Sequence, residues 1–340
     1  MPRSIGPLSA LLLILLLLPG LAVADQLADL RERGTLRCGV NGAIPGLSYQ
    51  DANGAWSGLD VDLCRAVAAA ALGSPEEVEL IPLKTAERFN ALRDGRVDLL
   101  ARNTTWTQAR DLGQGISFTA ILYYDGQGFM VPRASDKLST LGLNQARICA
   151  IADTTSSANA ERYFKRHQMA MTLKAYPDLD AALSAYLAGE CSTLTTDRSQ
   201  LYAIRSRLEE PSSHRILPEV ISREPLTPAV RSGEARLREL VQWTIYTLIN
   251  AEEMGISSDN LATVRTRAES DAVRTLLDLD GETAKAFGIE GGWGERVLSA
   301  VGNYAEVFER NLGKASGLDI KRGMNALWSR GGLLYAPPPR

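Results

Sequence analysis

Val97-Asp98-Leu99-Leu100-Ala101-Arg102-Asn103-Thr104-Thr105-Trp106-Thr107-Gln108-Ala109-Arg110 is the stretch from which the fold is read. Residues 97–101 form a short apolar run that predicts a strand, and small hydroxyl and amide side chains follow it at once. Arg110 arrives three residues after Thr107. A strand supplies a rigid base, hydroxyls supply short directional donors and acceptors, and a guanidinium supplies a planar fork that matches a carboxylate. The stretch reads either as the edge of a pocket for a small molecule with an acidic group, or as a strand end, a threonine-rich turn and a surface arginine. Its surroundings decide between the two.

Upstream, residues 36–40 predict a strand ending at Asn41-Gly42, and Asp51-Ala52-Asn53-Gly54 predicts a hairpin turn. Leu59, Leu63, Val67 and Ala70 recur at helical spacing, with Asp60 and Asp62 near the start where the helix dipole favours them. Residues 79–83 predict a strand, 86–93 a helix and 97–101 a strand. This β-α-β-α-β alternation argues for a mainly parallel sheet. Downstream, residues 126–132 predict a strand, and a second alternating unit follows: strands at 147–151, 171–175 and 192–196, with helices at 157–167 and 179–188. Residues 221–230 are extended and broken by Pro225 and Pro228, and residues 234–254 predict a long amphipathic helix. Residues 257–340 predict a mostly helical tail, with Trp293, Val297, Phe308 and Trp328 as core contacts against the first lobe.

Two α/β units joined by two extended segments imply two lobes with a cleft between them. Ligands of open α/β sheets bind beyond the carboxyl ends of the strands. Asn41, residues 103–110, residues 153–156 and Asp197 all follow predicted strands, so their loops converge if the lobes face each other.

The chain has 340 residues, 45% hydrophobic and 23% charged, with a net charge of −3. That length suits about two domains. Mixed charges and the absence of a basic face argue against a nucleic-acid partner. Arg3, the leucine run from Leu11 to Leu18, Pro19-Gly20 and Ala22-Val23-Ala24 together form a secretory signal peptide over residues 1–24, cleaved after Ala24. An exported chain with four cysteines is expected to carry disulfides. Three pairings are possible; Cys38 with Cys64 and Cys149 with Cys191 keep each link within one lobe. No C-x-x-C spacing occurs, and His167 and His214 flank neither pair closely, so neither a metal nor a cofactor is expected.

A zwitterionic ligand needs one fixed cation, one fixed anion and neutral partners, because burying either charge unpaired costs several kcal/mol. Arg110 is the candidate cation and Asp197 the candidate anion. Thr105, Thr107, Thr154 and Thr155 are candidate hydroxyls, and the helix starting near Ser157 offers its positive dipole end.

At this point the sequence resembles the periplasmic amino-acid-binding proteins that serve ABC importers, the family 3 solute-binding proteins. The likeness is carried by Gly58-Leu59-Asp60-Val61-Asp62-Leu63, Asn103-Thr104-Thr105-Trp106-Thr107 with Arg110, Thr154-Thr155-Ser156 and Thr195-Thr196-Asp197. It continues through Arg223-Glu224-Pro225-Leu226 and the run from Val301 to Arg310 to Asn325-Ala326-Leu327-Trp328 and Tyr335-Ala336-Pro337-Pro338, close to the general L-amino-acid receptor branch. The resemblance implies a type II periplasmic-binding-protein-like α/β fold. Its lobe 1 is residues 25–126, its lobe 2 is residues 127–224, and residues 225–340 return to lobe 1 and add a helical extension. It implies a monomer in the periplasm that takes a free L-amino acid and hands it to a membrane permease. Arg110 then holds the α-carboxylate with Thr154. Asp197 holds the α-ammonium with Thr105 and the Asn103 carbonyl, and Tyr49 shapes the side-chain end. Phe129 and residues 224–228 lie near the hinges.

Two departures from the family pattern stand out. Thr85 replaces an aromatic wall and leaves room for varied side chains. Asp153 replaces a glycine, and it either caps the following helix or shifts preference towards ligands with an extra positive group. Two other roles fit the same resemblance: a periplasmic cyclohexadienyl or arogenate dehydratase-like enzyme using Asp153, and a receptor that presents its ligand to a membrane sensor.

Overall fold

The computed structural model describes residues 25–268 and 270–340. The signal peptide read at residues 1–24 lies outside the described residues. The chain forms β1 (Leu36–Val40), β2 (Ala43–Ile44), β3 (Ser48–Gln50), β4 (Trp56–Ser57), β5 (Val78–Pro82), β6 (Leu99–Leu100) and β7 (Ile116–Phe118) before it first crosses between lobes. It then forms β8 (Tyr123–Asp125), β9 (Gln127–Pro132), β10 (Ala146–Ile151), β11 (Met171–Tyr176), β12 (Thr193–Asp197) and β13 (His214–Ile216). It returns through β14 (Glu224–Leu226) and β15 (Ala229–Arg231).

The first lobe's sheet has the order β5-β1-β6-β15-β7 and the second lobe's the order β11-β10-β12-β9-β13. In each, four strands run in one direction and one runs against them. The mainly parallel direction expected therefore holds for four strands of each sheet, and one reversed strand makes the sheet mixed. The reversed strands are β15 in the first lobe and β9 in the second, and each enters its lobe from a crossing. β7 and β13 are three residues each, too short to show a period. The crossings themselves pair as β8 with β14, placing Asp125 opposite Glu224 and Tyr123 opposite Leu226. Phe129, expected near a hinge, is instead in the second lobe's core, edge-on to Phe164.

Alternation across the strands builds the cores. Phe129 and Val131 face one side of the second sheet and Met130 the other, as the two-residue period of a strand requires. The helix Leu59–Leu72 starts after Gly58, whose φ of 127° excludes other residues and where a Cβ would meet the Leu47 carbonyl oxygen at 2.1 Å. Its predicted apolar stripe is buried, and so is nearly all the rest of it. The reason lies in the C-terminal extension. The helices Ala235–Glu253 and Trp293–Val301 cover its outer face, and small side chains at Ala66 and Ala68 to Ala71 let them approach. Trp293, Val297 and Phe308 join that core as expected. Trp328 does not; it is 51% exposed, with its indole N–H donated to Glu253 and its ring edge-on to Tyr335.

Both disulfides form within lobes, Cys38–Cys64 and Cys149–Cys191. The second joins residues 42 apart. Replacing both Cys149 and Cys191 by Ser is expected to cost about 3–4 kcal/mol, because the link restricts the unfolded chain. The check is a chemical denaturation midpoint in oxidising buffer; an unchanged midpoint would contradict it.

Candidate functional site

Between the lobes lies a cavity of about 250 Å3, at the small end for a ligand pocket. Its walls come from the loops after strands in both lobes: Asn41 after β1, residues 102–105 after β6, residues 154–156 after β10, and Asp197 at the end of β12. Arg110, Thr105, Asn103, Thr154, Thr85 and Asp197 are thus brought together. Asp153 and Tyr49 are not among the lining residues. The Tyr49 ring lies under Arg207 at 5.0 Å.

The threonine-rich stretch is anchored along the returning crossing. Trp106 donates its amide to the Pro225 carbonyl at 2.9 Å, and Thr227 donates to the Thr104 carbonyl at 2.9 Å. Trp106 stacks on Phe118. Asn103 turns the chain with φ of 39°, a left-handed conformation that asparagine tolerates, while its amide N–H is accepted by Asp60 at 3.0 Å. Thr107 caps the short helix Gln108–Gly113 by accepting the Arg110 amide, which projects Arg110 back to the cleft. The Arg110 guanidinium donates to the Thr105 carbonyl at 2.9 Å. Burial lowers its pKa, and Glu224 and Asp197 oppose that shift.

In the second lobe, the helix Thr155–Arg166 begins two residues earlier than the sequence pattern suggests. Its N-cap is Thr154, whose hydroxyl donates to the Ile151 carbonyl at 2.7 Å and makes no capping bond. Asp153 therefore does not cap this helix. It is exposed, with φ of 56°, so it adopts the left-handed backbone that glycine would supply freely. Asp197 stands just before the helix Arg198–Ser206 without capping it. One of its oxygens accepts from Gln200 at 3.0 Å; the other is buried with no partner among the described residues. Burial, then the charges of Asp125 and Glu224, raise the Asp197 pKa well above the usual carboxylate range.

Glu224 is the residue that sequence reading undervalued. It sits on β14 between the lobes and is almost fully buried. It accepts hydrogen bonds from Thr105 at 2.7 Å on one side, and from Thr155 at 2.9 Å and Asn159 at 2.6 Å on the other. Ser222 adds a fourth at 2.6 Å. A carboxylate in an extended segment beside a proline was its one sequence signal. Arg88 and Arg102 were also missed as lining residues. His214 is on β13 and bonds the Tyr186 hydroxyl at 2.8 Å.

The geometry suits a small zwitterion: a cation from one lobe, an anion from the other, and hydroxyls between. Residues 36–259 match the bacterial extracellular solute-binding proteins, family 3. The chain is 44% identical over 320 residues to the general L-amino acid-binding periplasmic protein AapJ of Rhizobium johnstonii, covering 94% of each. It is 42% identical to the glutamate/glutamine/aspartate/asparagine-binding protein BztA of Rhodobacter capsulatus, covering 95% of this chain and 96% of that one. A solved periplasmic binding protein of an ABC transporter from Brucella ovis, with glutathione bound, is 43% identical with a TM-score of 0.89, covering 93% of this chain and all of that one. With the type II two-lobed fold and the match over most of its length, the chain belongs to family 3 of the bacterial extracellular solute-binding proteins.

Proposed function

We propose that this protein captures free L-amino acids in the periplasm and delivers them, as a monomer, to the permease of an ABC importer. The observation that carries this reading is the placement of Arg110 and Asp197 on opposite lobes of one cavity, with Glu224 between them on the crossing. Arg110 holds the α-carboxylate, with the first turn of the helix Thr155–Arg166 and Thr154 adding donors. Asp197 holds the α-ammonium with Thr105 and the Asn103 carbonyl. A ligand that touches both lobes stabilises the closed form, which is the form a permease reads. The relatives' amino-acid ligands and periplasmic location support the same role. The lobes exchange the chain near residues 126 and 224, residues 225–340 complete the first lobe, and export ends with cleavage after Ala24.

A thermal-shift screen of the twenty common amino acids and glutathione tests this. A ligand that binds only the native state at 100 times its Kd adds about 2.7 kcal/mol and raises the Tm by about 4 °C. Several amino acids are expected to do so. No shift with any of them would overturn the assignment.

Asp153 places a negative charge near the mouth of this site, where Arg88 feels it. Asp153→Asn keeps a residue that accepts the left-handed backbone and removes the charge. Amino-acid binding is expected to tighten about two- to fivefold at low salt, from Coulomb energies of about 0.5–1 kcal/mol. The gain should shrink in 0.5 M salt, roughly, because screening is then nearly complete. Titration calorimetry at the two salt concentrations checks it.

A further inference from the structure

We propose that Glu224 is a positioning residue for the ligand's ammonium: by taking the hydroxyl proton of Thr105 it makes that hydroxyl an acceptor towards the cleft, and so sets the preference of the site for 2-amino acids over 2-hydroxy acids. This inference rests on the amino-acid-binding reading and narrows its substrate class.

Glu224 is 2% exposed, and its carboxyl group is surrounded by donors. One oxygen takes the hydroxyls of Thr105 at 2.7 Å and Thr155 at 2.9 Å. The other takes the Asn159 amide and the Ser222 hydroxyl, both at 2.6 Å. The direction of the last two is fixed by their other partners. The Asn159 oxygen accepts from Arg162, so its nitrogen faces Glu224. The Ser222 oxygen accepts the Gln127 amide at 3.2 Å and turns its proton to Glu224. An ionised carboxylate, which has acceptors and no proton to give, suits this set.

A threonine hydroxyl has one proton and two lone pairs. The Thr105 proton is spent on Glu224, while Thr105 itself lines the cavity. What it has left for the cleft is a lone pair. Asp197 supplies a second acceptor, its buried Oδ1, which has no partner among the described residues. The Asn103 carbonyl of the same loop is the third. These match the three N–H groups of an ammonium. A 2-hydroxy acid brings one O–H and no charge to the same acceptors, and buried acceptors left unpaired are costly. A Thr105 hydroxyl free to rotate would relieve part of that cost by donating to the ligand's hydroxyl oxygen; Glu224 denies it the proton. Glu224 is not among the cavity-lining residues, so it acts on the ligand through Thr105. Thr105 belongs to the first lobe, Thr155 and Asn159 to the second, and Glu224 to the crossing, so the orientation of this hydroxyl is set where the lobes meet. The charge of Glu224 also reaches Arg110 and Asp197, and the test has to separate the two effects.

The test is titration calorimetry of the whole protein, with displacement titrations for the weaker ligand, on matched pairs: L-alanine and L-lactate, L-leucine and L-2-hydroxy-4-methylpentanoate, L-glutamate and L-2-hydroxyglutarate. In each pair whose amino acid binds, the amino acid is expected to win by about 100-fold or more. Glu224→Met keeps the side-chain length and removes both acceptors; it should reduce that ratio about tenfold, and so should Thr105→Val. Adding Glu224→Met to Thr105→Val should leave the ratio within about threefold of Thr105→Val alone, because no hydroxyl remains to be oriented. A further drop of about tenfold in the double variant would assign the effect to charge alone and overturn the inference. A ratio in Glu224→Met within about threefold of the unaltered protein would overturn it too. So would an unmoved ratio in Thr105→Val, even if the Glu224 variants fail to fold. In these cases the amino-acid reading stands; no amino-acid binding at all sinks both.

Discussion

Arg110→Ala is expected to weaken amino-acid binding by about 30-fold to several thousand-fold, the 2–5 kcal/mol that truncating one partner of a desolvated charge pair costs. Arg110 is the lining cation that the threonine loop aims and that carboxylates of the hinge and second lobe keep charged. Alanine removes the charge and the fork together. The fold should survive, because the Arg110 side chain is bonded to a single carbonyl, that of Thr105. Its loop is tied down independently by Trp106 and Thr227. Arg110→Lys should recover part of the loss, since an ammonium keeps the charge but not the bidentate geometry. Calorimetry for binding and thermal unfolding for stability separate the outcomes. A Kd within threefold of the unaltered protein would remove Arg110 from the ligand's carboxylate.

What the sequence made legible is what local pattern controls. The stripe Leu59, Leu63, Val67, Ala70 announced a helix, and the run Leu99-Leu100 followed by Asn103-Thr104-Thr105 announced a strand with a polar loop at its carboxyl end. The four loops that converge on the cavity were legible for the same reason, because each follows a strand. Contacts between distant segments were not. That Glu224 reaches Thr105 across 119 positions and Thr155 across 69 depends on how the crossings pair, which no local period encodes. The burial of the Leu59–Leu72 helix on its outer face needs a helix more than 200 residues later. Arg88 fell unremarked within the helix predicted at 86–93, and its neighbours in space show it buried among other cations. Asp153 read either as a helix cap or as a charge that shifts ligand preference, and its left-handed backbone leaves the N-cap position to Thr154.

Asp197→Asn is expected to move binding and stability in opposite directions. Asp197 sits with Asp125 and Glu224 in a buried acidic group spanning the second lobe and the crossings. Asp125 is itself pushed up to about 6, chiefly by burial. The charged form of Asp197 is held at a cost in the empty protein, because burial and the neighbouring acidic charges disfavour it. Its folded pKa lies above its unfolded value, so the native state binds the extra proton. Its contribution to stability is therefore greatest at acid pH and declines as pH rises from about 4 through the raised range. Asparagine removes that decline. The variant should unfold about 1.5 °C above the unaltered protein at pH 8, a gain of about 1 kcal/mol, and the gap should close at pH 4 to 5. A bound ammonium reverses the balance, because it favours the carboxylate and expels its proton. Amino-acid affinity should then fall by about 100-fold or more in the variant, the few kcal/mol of a buried charge pair. The unaltered protein should also release protons on binding at pH values within that raised range, seen as heats that differ between buffers of different ionisation enthalpy, and the variant should not. An Asp197→Asn protein that is less stable at pH 8, or that binds amino acids within threefold, would place the ammonium elsewhere in the cleft.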